Sequence, residues 1–187
     1  AGIEFEDKTP ALSGILQEIK AREDEGYSYD TAQASFELLA RRALGIMPRF
    51  FEVKRYRVTV ERRKNKYDRM VSLSEAVVVV KIGDQKMLSV SESMDEQGGD
   101  RGPVNALAKA LGKDLGPYQS YIDDIRLVDF KVRITQGGTE AVTRVVIDSE
   151  DSMGRRWATV GVSANIVDAS FEALLDAIEW KLVRDGA

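Results

Sequence analysis

An internal duplication constrains this chain more than any other feature. Tyr56-Arg57-Val58-Thr59-Val60 recurs as Phe130-Lys131-Val132-Arg133-Ile134, and Glu75-Ala76-Val77-Val78 recurs as Glu140-Ala141-Val142-Thr143. Lys86-Met87-Leu88-Ser89-Val90 recurs as Arg156-Trp157-Ala158-Thr159-Val160, and Pro103-Val104-Asn105-Ala106 recurs as Ile166-Val167-Asp168-Ala169. The first three segments alternate at the strand period and the fourth opens a helical stripe, all in the same order, which spells a strand-strand-strand-helix unit used twice. The predicted fold is therefore α+β: two pseudo-symmetric βββα repeats of antiparallel sheets with helices, preceded by a helical segment. Repeat one is placed at 50–116 and repeat two at 122–184, within a domain spanning 49–187, and residues 1–48 form a helical linker subdomain.

Local signals agree with this division. Thr9-Pro10 reads as an N-cap and first-turn proline ahead of Leu12, Ile15, Leu16 and Ile19 on one helix face. Gly26-Tyr27-Ser28-Tyr29 breaks that helix, Asp30 with Gln33 reads as a second cap, Phe36, Leu39 and Ala43 continue a stripe, and Gly45 stops it. Gly83-Asp84 and Gln136-Gly137-Gly138 read as hairpin turns. Val104, Leu107, Ala108, Leu111 and Leu115 share one face of the first repeat helix, which Gly116-Pro117 ends; Phe171, Leu174, Leu175, Ile178 and Leu182 stripe the last. Val77 to Val80 is apolar on both faces, so one sheet face buries under the repeat helices and the other needs a further surface, such as a second copy of the chain.

Composition narrows function. The chain contains no Cys and no His, which removes thiolate nucleophiles, disulfides, the usual general base near neutral pH and the commonest transition-metal ligand. We expect no catalytic residue and no metal site here. No apolar run approaches the about 20 residues that span a bilayer. The start, Ala1 to Thr9, is acidic rather than signal-like, so the expected location is cytoplasmic, with no membrane partner. Net charge is −4, and the basic stretch from Lys54 and Arg55 through Arg62-Arg63-Lys64-Asn65-Lys66 to Arg69 reads first as a solvated strand face and loop rather than a nucleic-acid patch.

Two glycine-containing loops enter helices at matching places: Gln97-Gly98-Gly99-Asp100-Arg101-Gly102-Pro103 and Gly161-Val162-Ser163-Ala164-Asn165. Glycine lets backbone approach a ligand, and free N–H groups at a helix start attract a carboxylate; an ordinary strand-to-helix turn reads equally well. Asp123-Asp124 and Glu150-Asp151 read as solvated turns. Asp129, inside an apolar strand, either receives an ammonium group or loop N–H or points outward beside Lys131.

Several motifs then match a known family. Glu25-Gly26-Tyr27, Ala34-Ser35-Phe36-Glu37-Leu38-Leu39 and Phe50-Phe51-Glu52-Val53 resemble the region after the catalytic barrel of citramalate synthases, relatives of the 2-isopropylmalate and homocitrate synthases. Gly102-Pro103-Val104-Asn105-Ala106-Leu107-Ala108-Lys109-Ala110-Leu111 resembles the start of their regulatory-domain helix, and Trp157-Ala158-Thr159-Val160-Gly161-Val162-Ser163-Ala164-Asn165-Ile166 resembles its final strand and loop. The likeness runs from about residue 12 to 183. It implies a helical linker and a dimerising regulatory domain of an acetyl-CoA-condensing enzyme whose barrel, with its divalent metal and acetyl-CoA, lies outside this chain. It also implies an end-product amino acid as effector, isoleucine in the citramalate branch and leucine in the isopropylmalate branch. Carried over by position, the effector contacts are Gly102, Pro103, Val104 and Asn105; Leu127, Asp129, Phe130 and Ile134; and Ala141 and Thr143. The family loop usually reads Gly-Asn-Gly-Pro, whereas Asp100-Arg101-Gly102-Pro103 stands here. Two other classes stay open: a nucleic-acid module built on the basic stretch, which the acidic net charge disfavours, and a dimer module without a ligand.

Overall fold

A computed structural model of the chain describes residues 8–95, 102–136 and 141–187. The segment Gln97 to Arg101 of the first glycine-rich loop, the Gly137-Gly138 turn, Glu140 and the acidic start through Asp7 lie outside the described residues. The chain divides into two compact units: Arg49–Ile125 with Lys181–Ala187, and Ala1–Pro48 with Arg126–Trp180.

The first unit holds repeat one. Strands β1 (Glu52–Lys64), β2 (Met70–Ile82) and β3 (Gln85–Asp95) form an antiparallel sheet in that order, with Gly83-Asp84 as the β2–β3 turn. Helix α3 (Pro103–Leu111) packs across the sheet, and burial alternates along β2 accordingly, with Ser74, Ala76, Val78 and Val80 all buried. The opposite face carries half-buried Val77 and Val79 beside exposed Leu88, Val90 and Met94. The helix is shorter than its apolar stripe predicts. It stops at Gly112, and the chain continues through a 3-10 turn at Gly116–Tyr118 into α4 (Gln119–Ile122). Gln119 makes this early stop tolerable: its Oε1 accepts the Leu115 N–H at 2.8 Å and its Nε2 donates to the Gly112 carbonyl at 2.8 Å. Leu115 is still fully buried, delivered by the loop rather than by a helical turn.

The second unit holds repeat two and the N-terminal helices. Strands β4 (Arg126–Gln136), β5 (Val142–Glu150) and β6 (Arg156–Ser163) again run antiparallel in order, followed by α5 (Ile166–Asp185). The two repeats match strand for strand, with one correction to the sequence alignment. Tyr56 pairs with Val78, and its counterpart Phe130 pairs with Ile147; Val78 then pairs with Ser89, and Ile147 with Thr159. Val78 therefore corresponds to Ile147 and not to Thr143: the second-strand match shifts by four residues. Local likeness of Glu-Ala-Val was outweighed by which residue must fill the core.

One face of this sheet lies under α5. Thr159 Oγ1 donates to the Ala173 carbonyl at 2.7 Å, and Trp157 Nε1 donates to the Ala177 carbonyl at 3.2 Å. Gly161 sits where a Cβ would stand 2.0 Å from the Ala169 carbonyl oxygen and 2.9 Å from the Ala173 nitrogen. The space that the sequence reading offered to a ligand is filled by helix backbone. On the other face Tyr27 and Ala32, from the loop between α1 (Lys8–Asp24) and α2 (Gln33–Ala43), are buried with Val160 against Tyr29, Val146 and Val162. Arg144 fastens that loop by donating to the Gly26 carbonyl at 2.5 Å.

Both N-terminal helices end in one motif. Gly26 N–H donates to Glu23 and Tyr27 N–H to Arg22; Gly45 N–H donates to Arg42 and Ile46 N–H to Arg41. This closes the last carbonyls through a left-handed glycine, with φ of 108° at Gly26. The N-termini depart from expectation. Lys8, the first described residue, is already helical, so Thr9 does not cap α1, and α2 begins after Ala32 with no side-chain cap, while Asp30 bonds Ser28 instead. Burial of Ala32 in the tertiary contact, rather than an Asp30 cap, sets where α2 starts.

Gly161→Ala is expected to lower stability by on the order of 3 kcal/mol, because its Cβ meets backbone that only a shift of α5 can clear. Urea unfolding reads this as a lower midpoint with an unchanged slope; an unchanged midpoint would contradict it.

Candidate functional site

The expected effector residues fall in both units. In the first unit Gly102 is the N-cap of α3, in extended conformation, with Pro103 at the first helical position and no side chain capping the turn. Its carbonyl accepts the Ala106 N–H at 3.0 Å. Val104 and Asn105 are half-buried. Asn105 Oδ1 is buried with no hydrogen-bond partner among the described residues. A buried acceptor left unmatched at an uncapped helix start is unusual, since such atoms nearly always find a partner.

In the second unit Leu127, Asp129, Phe130 and Ile134 lie on β4, the sheet's edge strand. Residues paired across neighbouring strands share a face. Leu127 pairs with Ser149, Phe130 with Ile147, Val132 with Val145 and Ile134 with Thr143, which places them on the α5 side. Much of this strip stays uncovered: Leu127 is 39% exposed and Ile134 71%. Thr143 is half-buried opposite Ile134, and half-buried Ala141 immediately precedes β5. A bulge between Leu127 and Asp129 turns Asp129 to the opposite face, opposite Asp148. There its Oδ1 accepts the Phe130 N–H at 2.8 Å and its Oδ2 lies 2.9 Å from Lys131 Nζ. The Lys131 ammonium and the Phe130 N–H hold this carboxyl below its ordinary range. Of the alternatives open from sequence, Asp129 takes the outward one, and it does not line one face with Leu127, Phe130 and Ile134.

A polar seam in the same unit escaped the sequence reading. Glu172, Asp176 and Glu179 form a ladder along α5 at the spacing that shares one helix face. Tyr27 donates its hydroxyl to Glu172 Oε1 at 2.5 Å, Ser35 donates to Asp176 Oδ2 at 2.6 Å, and Arg42 reaches Asp176 at 2.7 Å and Glu179 at 2.5 Å. The same groups cap the free edge of β6: the Val160 N–H donates to Ser35 Oγ at 2.9 Å and the Val162 N–H to Glu172 Oε2 at 3.0 Å. Burial pushes all three carboxyls up, against the pull of Arg42 on Asp176 and Glu179 and of Tyr27 on Glu172. Burial also pushes the Tyr29 phenol up to about 12. The spacing of the three acids was legible, but their partners stand over 130 residues away in sequence.

The comparisons with known proteins follow this architecture. Residues 30–182 match the LeuA allosteric (dimerisation) domain. The chain belongs to that family. The (R)-citramalate synthase of Geobacter sulfurreducens is 43% identical over 182 residues, covering 96% of this chain and 32% of that protein. That of Aquifex aeolicus is 39% identical over 98% of this chain and 33% of its own length. The 2-isopropylmalate synthase of Methanocaldococcus jannaschii is 35% identical over 44% of this chain. The chain thus spans about a third of the length of the curated citramalate synthases it matches.

The remaining acids of this LeuA-type domain do structural work. Asp123 accepts from Gln119 at 2.6 Å, and Asp124 lies 3.4 Å from the buried Lys181 ammonium. Asp151 is no solvated turn residue. It is buried, accepts the N–H groups of Met153 and Arg155 at 3.0 Å each, and bonds the Arg155 guanidinium at 2.5 Å, locking the β5–β6 turn. Among the described residues no group of three or more acids is arranged to hold a metal ion, and no helix is long and apolar enough to cross a membrane. The basic stretch runs along β1 to a tip where Asn65 Oδ1 accepts the N–H groups of Tyr67 and Arg69. Asp151→Ala is expected to cost on the order of 3 kcal/mol, since it removes the buried acceptor of two backbone N–H groups and of the Arg155 guanidinium. Thermal melting checks this; a melting point equal to that of the parent chain rules it out.

Proposed function

We propose that this chain is the end-product-sensing and dimer-forming region of a citramalate synthase, with isoleucine as its effector. The observation that carries the reading is the breadth of the match: citramalate synthases align over nearly the whole chain, whereas the 2-isopropylmalate synthase aligns over less than half. Leucine sensing is the alternative within the same reading. The catalytic barrel, its divalent metal and acetyl-CoA belong to the part of such an enzyme outside this chain. The metal set implied by the resemblance, an Asp and two His, does not fit a chain without His, so no catalytic step is assigned here. A cytoplasmic location is part of the proposal.

An aliphatic amino acid needs apolar walls, donors for its carboxylate and acceptors for its ammonium group. Among the described residues no side chain caps the first turn of α3 and nothing matches the Asn105 acceptor, so both suit a ligand's polar groups. Leu127, Phe130 and Ile134 on β4 offer apolar surface. Two surfaces suit a second copy of the chain: the same uncovered strip of β4, which an effector at such a seam would share, and the outer face of the first sheet at Leu88, Val90 and Met94. In repeat two the equivalent outer face is covered by Tyr27 and Ala32; in repeat one it carries exposed apolar side chains. The effector acts by favouring one arrangement of the dimer over another, which requires that it bind the two arrangements with different affinity.

Calorimetric titration of the chain should detect isoleucine in the millimolar range or below, and isoleucine at about ten times its Kd should add about 1.4 kcal/mol to stability. Asn105→Ala should weaken binding about tenfold or more while leaving the ligand-free stability equal or higher, because the acceptor it removes has no partner among the described residues. No heat with isoleucine or leucine would remove the sensing claim. For the dimer, Ile134→Lys is expected to shift sedimentation toward monomer; a monomeric parent chain would remove that claim.

A further inference from the structure

We propose that the ladder of Glu172, Asp176 and Glu179 is a proton-operated latch that fastens the N-terminal helical pair to repeat two, tightening as the ladder takes up a proton. Every rung of the ladder is a carboxylate on α5, and every rung accepts from a donor on the helical segment: Tyr27, Ser35 or Arg42. Two rungs are also joined, through Glu172 and Ser35, to the free N–H groups of β6. The ladder is thus the seam itself, and its charge decides how firmly α2 is held.

Cations do not match acids across this seam. Arg42 serves both Asp176 and Glu179. From α1, Arg22 lies 3.9 Å from Glu172 but is shared with Glu18 at 3.3 Å and Glu25 at 3.6 Å. On α2, Arg41 is taken by Glu37, whose second oxygen accepts the Trp180 indole N–H at 3.0 Å. From β5, Arg144 spends its guanidinium on the backbone carbonyls of Gly26 and Tyr27. The neighbouring phenols, Tyr27 and Tyr29, are uncharged, burial having pushed both up. Among the described residues the three ladder carboxylates are therefore answered by Arg42 and by an Arg22 that they share with Glu18 and Glu25, and negative charge is left over in a seam where Asp176 is buried. Taking up a proton relieves that excess, and among the described residues Glu179 can hold it on Oε1 while Oε2 still accepts from Arg42.

The sign follows from linkage. Burial raises the ladder carboxyls above their ordinary values of about 4, so the assembled seam binds protons more tightly than the opened one. The stabilisation is complete below the ordinary value and is lost as pH rises through the raised values. This runs against the usual expectation that acid loosens ion-paired seams.

Hydrogen exchange on the 187-residue chain tests this. Protection of α2 amides is measured against α3 amides, each corrected for intrinsic exchange, at about pH 5.5 and about pH 7.5; release of one proton across its window predicts up to about tenfold loss of relative α2 protection per pH unit. Glu179→Gln removes one surplus charge and should flatten that dependence while retaining an acceptor for Arg42. Relative α2 protection that stays level or rises between the two pH values overturns the latch, as does an undiminished dependence in Glu179→Gln. If that variant does not fold, the parent chain's ratio decides alone. Isoleucine is absent throughout, so the outcome is independent of the sensing proposal.

Discussion

An antiparallel sheet has two faces, and a single helix can cover only one of them. The rest of this structure follows from how each repeat meets that constraint. In repeat two, α5 takes one face so closely that Gly161 cannot carry a side chain, and the loop bearing Tyr27 and Ala32 takes the other. The helical segment is therefore part of the fold of repeat two, and its stability comes from that packing more than from its own helix propensity. In repeat one, α3 covers one face and Leu88, Val90 and Met94 remain exposed on the other. Duplication supplied two like units, and the helical segment covers the second face of repeat two.

Closing a sheet face with a helical segment creates a second demand, because it also buries polar groups. The outer N–H groups of β6 need acceptors once α2 lies beside them, and Ser35 and Glu172 provide them. Those acceptors are themselves buried and need donors, which Tyr27 and Arg42 supply. A fully connected polar seam of this kind fixes one docking geometry, since any slip of α2 breaks several bonds together. It also concentrates acid, since the ladder side carries three carboxylates and the helical segment answers with few cations. Specific docking and an acidic seam are consequences of the same arrangement.

Much of this was legible beforehand, for identifiable reasons. Strand alternation from Tyr56 to Val60 and from Phe130 to Ile134 revealed paired half-buried strands, and Gly26 and Gly45 marked helix ends through a conformation other residues avoid. Asp30 misled because a capping signal is local, whereas the start of α2 is set by Ala32 in a tertiary contact. Leu115 misled because its burial is delivered by a loop that Gln119 holds together. Asp129 stayed ambiguous because one bulge decides which face it takes, and a bulge leaves no mark in the alternation around it. The solvated reading of Asp151 failed for a related reason: the Arg155 guanidinium and the N–H groups of Met153 and Arg155 converge on it only once the turn forms.

The sequence by itself determined the repeated unit, the order of its strands and the absence of thiol and imidazole chemistry, because period, turn residues and composition act over a few neighbouring positions. Only the tertiary structure decided which faces are covered, which acids are buried and which edge N–H groups are satisfied. Those outcomes depend on groups such as Ser35 and Asp176, 141 residues apart, meeting in a low-dielectric seam. No local pattern encodes such a meeting, since each residue's burial is set by the others that arrive with it.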